Sequence, residues 1–167
     1  IPEPSSSTRP SPNAPPGNLF DAGPASAHPG RFNLPRGIAR DAAGDFYVAD
    51  TQNERIEKFD PSGKFLAAFG SKGTGDGQFA PINDTGIGTG PGGLAVDSAG
   101  NVYVADTWNH RLQKFDAQGA FLAKWGAFIS LADPNATDPT AQKQGFYGPR
   151  GVAVGPNGQI YVTDTGN

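Results

Sequence analysis

The sequence predicts an all-β protein built from repeated four-stranded antiparallel sheets, and two observations carry this prediction. The first is the run YVADT at 47–51, which returns as YVADT at 103–107 and as YVTDT at 161–165. The second is that a shift of 56 residues aligns 37–70 with 93–126 without a gap, and 20 of those 34 positions are identical. Self-similarity at a fixed period of this size is typical of stacked repeats.

Each copy contains four short runs that are separated by tight turns. In the second copy the runs are GLAV, VYVA, RLQKF and FLAKW, and the turns DSAG and DAQG each end in a glycine that suits a positive φ. Four such runs predict one antiparallel sheet per copy. A single sheet cannot bury both of its faces, so radial stacking of the copies into a β-propeller is predicted, with almost no helix.

The second copy carries the fullest motif, with GGLAVD at 92–97, GNVYVADT at 100–107 and NHRLQKF at 109–115. These runs resemble the NHL repeat, and the resemblance covers about residues 31–167. It implies a propeller of NHL type that is incomplete within this chain. A closed propeller of six such blades needs roughly 250 residues or more, at about 40–45 per blade.

Composition divides the chain into two parts, a Pro- and Ser-rich linker or arm at 1–30 and the propeller segment at 31–167. A Ser-, Thr- and Pro-rich arm is typical of mature secreted or surface-anchored proteins, so we expect an extracellular or cell-surface location. No apolar run reaches the length of a membrane span. Within the propeller segment the sequence predicts repeats at about 32–70, 91–126 and 148–167, and insertions at 80–90 and 127–145.

The charge and cysteine content exclude several functions. The chain has no cysteine, which excludes disulfides and thiolate metal sites. Its net charge is −3 and its Lys and Arg residues are scattered, whereas nucleic-acid binding depends on clustered positive charge. We therefore expect no nucleic-acid partner.

Three aspartates recur at one position of the repeat, each followed by a threonine. Repetition favours a structural role, because a catalytic group is needed once and not in every blade. We expect each Asp-Thr pair to bond the backbone of the polar loop that follows it, as an Asx or ST turn, and an arginine five residues later to pair with the carboxylate. The predicted structural residues are Asp50, Thr51, Arg55, Asp106, Thr107, Arg111, Asp164 and Thr165.

The sequence contains no credible catalytic motif or metal site. Its only histidines are His28, in the arm, and His110. Zinc catalysis on a propeller takes several histidines from different blades, as in the amidating lyases that share this fold class. No nucleophile elbow, phosphate loop or dinucleotide fingerprint is present. We therefore expect the chain not to be an enzyme and to hold neither cofactor nor metal.

Aromatic side chains in the loops are the candidates for binding. Trp108 is an aromatic that the other copies lack, and with His110, Phe146 and Tyr147 it is predicted to form a patch for a peptide or a sugar. The alternative interpretation is loop packing between blades. Asn83 and Asn135 begin N-glycosylation sequons in the two insertions.

These observations favour a non-catalytic extracellular binding or scaffold module that recognises a protein or carbohydrate through loops on one propeller face. Two alternatives stay open from the sequence. The first alternative is a structural subunit that assembles with other copies of itself, as a filament or ring, through open blade edges. The second alternative is a part of a larger propeller-containing enzyme or membrane sensor.

Overall fold

A computed structural model describes residues 29–80, 89–126 and 145–165. Nearly all of the predicted arm and of both predicted insertions lies outside the described residues, as do the sequon residues Asn83 and Asn135. Within the described ranges there is no helix with the length and apolarity that a bilayer crossing requires.

The described residues form three antiparallel sheets, and the strand order in each follows the chain. The first sheet contains β1 (Gly37–Arg40), β2 (Phe46–Asp50), β3 (Arg55–Phe59) and β4 (Phe65–Phe69). The second contains β5 (Leu94–Val96), β6 (Val102–Asp106), β7 (Arg111–Phe115) and β8 (Phe121–Trp125). The third contains β9 (Pro149–Val154) and β10 (Ile160–Asp164). These sheets confirm the prediction of an all-β chain whose four-stranded blades form an incomplete propeller.

The core lies between the first two sheets because side chains alternate between the two faces of each strand. One face of the first sheet contributes Tyr47, Ala49 and Ile56, all fully buried. The facing side of the second sheet contributes Val104 and Phe115 to the same cluster. The repeated sequence therefore gives each blade two different apolar faces, and unlike faces of neighbouring blades meet.

The first strands of the three sheets lie side by side, and glycine permits their close approach. A Cβ on Gly37 would lie 2.7 Å from the carbonyl oxygen of Gly92, and one on Gly93 would lie 2.5 Å from that of Arg150. The backbone N–H of Gly93 donates to the Arg150 carbonyl at 2.6 Å. Any side chain at these glycines would separate neighbouring blades, so the motif needs glycine here.

Candidate functional site

The recurring aspartates end the second strand of each sheet, where their carboxylates accept several side-chain donors. Asp106 is fully buried and accepts hydrogen bonds from Arg111 Nε at 2.7 Å and Asn109 Nδ2 at 2.9 Å. Asp50, equally buried, accepts from Arg55 Nε at 2.9 Å. Asp50 and Asp106 are therefore each paired with the arginine that stands five residues later.

The same carboxylates also hold the stretch that precedes the first strand of each sheet, here called the leading segment (29–36, 71–80 and 145–148). The backbone N–H of Asn33 donates to Asp50 Oδ1 at 2.7 Å, and that of Tyr147 donates to Asp164 Oδ1 at 2.9 Å. In the second sheet the N–H of Ala80 takes the same place against Asp106, at 3.4 Å.

These bonds differ from the predicted Asx turns. The loop after each strand is a short 3-10 turn, Thr51–Asn53 or Thr107–Asn109, and neither Asp50 nor Asp106 caps it with a side-chain bond. The carboxylate bonds the following loop only through an asparagine side chain, Asn53 or Asn109, and it accepts its backbone N–H from the leading segment of its own blade. A buried carboxylate is stabilised best where several donors converge, and the leading segment supplies a backbone donor there.

Arg111 extends this attachment along the second leading segment. Its Nη atoms donate to the carbonyl oxygens of Thr74 at 2.8 Å, Gly75 at 2.7 Å and Gln78 at 2.8 Å. Gln113 adds a bond from Nε2 to the Gln78 carbonyl at 2.7 Å. The ion pair and these bonds fix the leading segment on the second blade.

The threonine of the motif donates to a backbone carbonyl just before a first strand in two of the three repeats. Thr51 Oγ1 donates to the Pro91 carbonyl of the next blade at 2.8 Å, and Thr165 Oγ1 donates to the Gly148 carbonyl at 3.0 Å. The first of these bonds joins neighbouring blades.

The first blade differs from the second at one buried position, where Glu57 replaces Gln113. Glu57 Oε2 accepts the backbone N–H of Gly30 at 2.9 Å. Its Oε1 lies 2.6 Å from Arg55 Nη2 as an ion pair but accepts no hydrogen bond of good geometry. Burial raises the pKa of Glu57 above its ordinary range, although the Gly30 N–H and the Arg55 charge act to lower it.

Between the second and third sheets lies a cleft of about 230 Å³, here called the aromatic cleft. Trp108 is 42% exposed and Tyr147 43% exposed, and the His110 ring lies 5.4 Å from the Tyr147 ring. The 3-10 turn after β6 presents Trp108, and the bond from Tyr147 N to Asp164 positions Tyr147. The lining residues are Thr107, Trp108, His110, Tyr147, Gly148, Arg150 and Thr165.

The surroundings of His110 favour the neutral ring in one tautomer. The backbone N–H of Gly148 donates to His110 Nδ1 at 3.1 Å, so Nδ1 acts as an acceptor and the ring proton lies on Nε2. Burial lowers the pKa of His110 below its ordinary value, and the charge of Asp164 opposes that effect. The cleft therefore presents a neutral imidazole at neutral pH.

The four predicted binding residues do not form one patch. Trp108, His110 and Tyr147 line the aromatic cleft, whereas Phe146 lines a separate apolar cavity of about 390 Å³ beside Tyr103 and Trp125. Phe146 and Tyr147 are adjacent in the chain, yet they line different cavities. Phe146 therefore does not line the aromatic cleft, and a binding role for it stays a prediction.

Arg150 was missed by the sequence reasoning as a site residue, although it lines the aromatic cleft. Its Nε donates to Thr165 Oγ1 at 3.2 Å. The signal was present in the repeat, because Arg150 follows Pro149 at the place where Arg36 follows Pro35. Among the residues that the structure describes, no group of three or more His, Cys, Asp or Glu side chains could hold a metal ion.

Comparison with known proteins agrees with this architecture. The family model "NHL repeat" matches residues 32–59, 89–115 and 146–167. The segments contain the three recurring aspartates and most of the strands.

Two curated relatives differ in kind. The protein named brain tumor of Drosophila melanogaster is 32% identical over 136 residues, which are 81% of this chain and 11% of that protein. A probable peptidyl-alpha-hydroxyglycine alpha-amidating lyase of Caenorhabditis elegans is 32% identical over 108 residues, which are 64% of this chain and 29% of the lyase. The chain thus spans less than a third of the length of either relative.

The expectation that the chain is not an enzyme is wrong, because a relative that matches most of it is named as a lyase. The lack of a catalytic motif excludes little in a span that equals 29% of that enzyme. A propeller can assemble its site from residues of several blades, and one fold hosts unrelated activities.

A solved structure is similar in fold. The calcium-binding protein regucalcin from Agrobacterium tumefaciens superposes with a TM-score of 0.51 at 18% identity, over 80% of this chain and 38% of that one. The repeats and the strand order agree with the family match. The chain is therefore an NHL-repeat protein, and its three repeats form consecutive blades of a β-propeller.

Proposed function

We propose that this segment forms a recognition surface for a partner protein, and that the aromatic cleft receives an apolar or aromatic side chain of that partner. The observation that carries the proposal is the pairing of two half-exposed aromatic rings, Trp108 and Tyr147, beside Arg150. Tryptophan, tyrosine and arginine are the residues most enriched among those that dominate binding energy at protein interfaces. NHL repeats commonly mediate protein binding, which agrees with this proposal.

The polar groups of the cleft favour a peptide over a carbohydrate. The N–H of Gly148 is bonded to His110, and its carbonyl accepts from Thr165. Thr165 Oγ1 also accepts from Arg150 Nε. Sugar recognition relies on many hydroxyl contacts, and here much of the hydrogen-bonding capacity is used within the cleft. An apolar side chain needs only the ring faces.

The test is selection of peptides from a displayed random library against the native full-length protein, followed by affinity measurement on variants. Trp108→Ala and Tyr147→Ala are each expected to weaken the selected peptides roughly thirtyfold, which corresponds to about 2 kcal/mol for the loss of a dominant contact. Leu122→Ala is the matched control, because Leu122 is 49% exposed on β8 outside the cleft.

Three results would contradict the proposal. The first is a library that yields no binder to the native protein. The second is a set of selected peptides that bind both aromatic variants as tightly as the native chain. A screen of the same proteins on a glycan array provides the third, since Trp108-dependent glycan binding without peptide binding assigns the cleft to carbohydrate.

An extracellular or cell-surface location is part of the proposal and is supported by the two sequons. Mass analysis of the protein purified from its host tests it at Asn83 and Asn135. Glycan on either residue supports passage through a secretory route, and a cytosolic location of the native protein would refute it.

A further inference from the structure

A second cavity, of about 600 Å³, lies where the first strands of the three sheets begin, and is here called the inner-strand cavity. Two arginines line it, Arg36 just before β1 and Arg150 within β9, and both are exposed. No carboxylate of the described residues lines it. The lining residues are Pro35, Arg36, Gly92, Gly93, Thr107, Arg150 and Gly151.

These two guanidinium groups differ from the arginines that build the blades. Arg55 and Arg111 pair with the buried carboxylates of Asp50 and Asp106 at 2.9 and 2.7 Å. Within the part of the chain that the structure describes, neither Arg36 nor Arg150 forms an ion pair. Two unneutralised arginines around one cavity attract an anion and match the planar geometry of a carboxylate.

The middle blade places no side chain at the position that the two arginines hold in the first and third blades. Arg36, Gly92 and Arg150 occupy the same position in the three repeats, directly after a proline. A Cβ on Gly92 would lie 2.7 Å from Thr107 Oγ1, so the middle blade excludes a side chain at this position. The backbone N–H groups of Gly92, Gly93 and Gly151 are already bonded, so the donors that this cavity offers an anion are side chains, foremost the two guanidinium groups.

We propose that Arg36 and Arg150 hold a carboxylate of an acidic peptide in the inner-strand cavity while a neighbouring side chain of the same peptide occupies the aromatic cleft. The two cavities adjoin, because Thr107 and Arg150 line both. This inference rests on the proposed function and deepens it, since it adds an acidic residue or a free C-terminal carboxylate to the ligand's description.

A short peptide fits this site better than a nucleic acid does. Nucleic-acid binding draws on many phosphate contacts and clustered positive charge, whereas this chain has a net charge of −3 and presents two unpaired arginines here. One carboxylate between two arginines needs no wider basic surface.

The experiment uses the peptides selected on the native full-length protein, each paired with a copy in which Asp and Glu are replaced by Asn and Gln and the C-terminus is amidated. Native protein is expected to bind the acidic form about tenfold or more tightly than its neutral copy, as is typical of a lost charge-assisted contact. In Arg36→Gln/Arg150→Gln the two forms are expected to bind alike. The preference in the native protein should shrink as salt is raised.

The control is Arg40→Gln/Lys64→Gln, which removes the same charge from exposed residues outside the cavity. Arg40 stands at the opposite end of β1 from Arg36. The control is expected to retain the preference for the acidic form, which separates local contact from net charge.

The outcomes distinguish this inference from the proposed function. Peptides that depend on Trp108 but show no acidic preference, or an unchanged preference in the arginine variant, would overturn the inference and leave the aromatic cleft supported. Failure of the library to give any binder would overturn both. Tight binding of a labelled single-stranded RNA that is lost in the arginine variant, without binding of acidic peptides, would assign the cavity to nucleic acid instead.

Discussion

Replacing Asp106 by alanine tests whether the recurring aspartate holds its blade together. The change removes the acceptor of Arg111 Nε at 2.7 Å, Asn109 Nδ2 at 2.9 Å and Gln113 Nε2 at 3.0 Å. It also leaves the Arg111 guanidinium, which is 6% exposed, without its counter-charge. Asp76, in an exposed pair with Lys124, provides the comparison.

The structure sets the size of the expected loss. Removing one partner of a buried ion pair costs about 3–5 kcal/mol, because the remaining charge stays buried without compensation. Arg111 keeps three carbonyl acceptors in the leading segment, so the lower end, about 3 kcal/mol, is expected. Asp76→Ala breaks a pair whose side chains are 50% and 48% exposed, and it should cost only about 0–1 kcal/mol.

The assay is urea-induced unfolding of the full-length protein for both variants, with amide hydrogen exchange to locate the loss. Asp106→Ala should also speed exchange at Ala80, whose N–H the carboxylate accepts. An Asp106→Ala variant that loses no more stability than Asp76→Ala and exchanges at Ala80 at the native rate would show that this carboxylate does not hold the blade together.

Three further predictions concern pH and close packing. Burial raises the pKa of Glu57 above its ordinary 4.5, so its contribution to stability is present below that value and lost as pH rises through the folded pKa. The Glu57→Gln variant should therefore gain stability relative to the native protein between about pH 4 and pH 8. A stability difference that stays constant across that range would contradict this prediction. Burial lowers the pKa of His110 below 6.5, so its contribution to stability is present above pH 6.5 and lost as pH falls through the folded pKa. NMR titration of the His110 ring should give a pKa under 6.5, and a higher pKa would contradict this prediction. Gly93→Ala places a Cβ 2.5 Å from the Arg150 carbonyl oxygen and should lower the free energy of unfolding by about 2–3 kcal/mol. Gly158→Ala, at φ +80° with open space around the Cβ, should lower it by about 1 kcal/mol. Equal unfolding free energies for the two variants would argue against the close contact at Gly93.

The repeat was sufficient to predict the sheets because strand signals are local. Alternating runs and glycine turns recur at fixed spacing, and the register follows from them, as in the pairing of Tyr103 with Lys114. The equivalence of Asp50 and Asp106, and the arginine partners of both, also follow from the spacing alone.

The contacts between distant segments could not be predicted in the same way. The backbone partner of the Asp50 and Asp106 carboxylates depends on where a leading segment lies against its blade. No local sequence pattern predicts that position. Trp125 takes the repeat position of Phe69, which packs against the core, yet Trp125 is 47% exposed beside the cavity that Phe146 lines. The cleft of Trp108 and Tyr147 exists only because residues 39 positions apart are brought together by two neighbouring blades.

The most direct test of the recognition surface is chemical-shift mapping of the isotope-labelled full-length protein with one peptide recovered from the displayed library. The largest changes are expected at the Trp108 indole and the backbone amides of Tyr147, Gly148 and Arg150, which line the aromatic cleft. Changes confined to the exposed outer strands, around Leu66 and Leu122, with none in the cleft would contradict it.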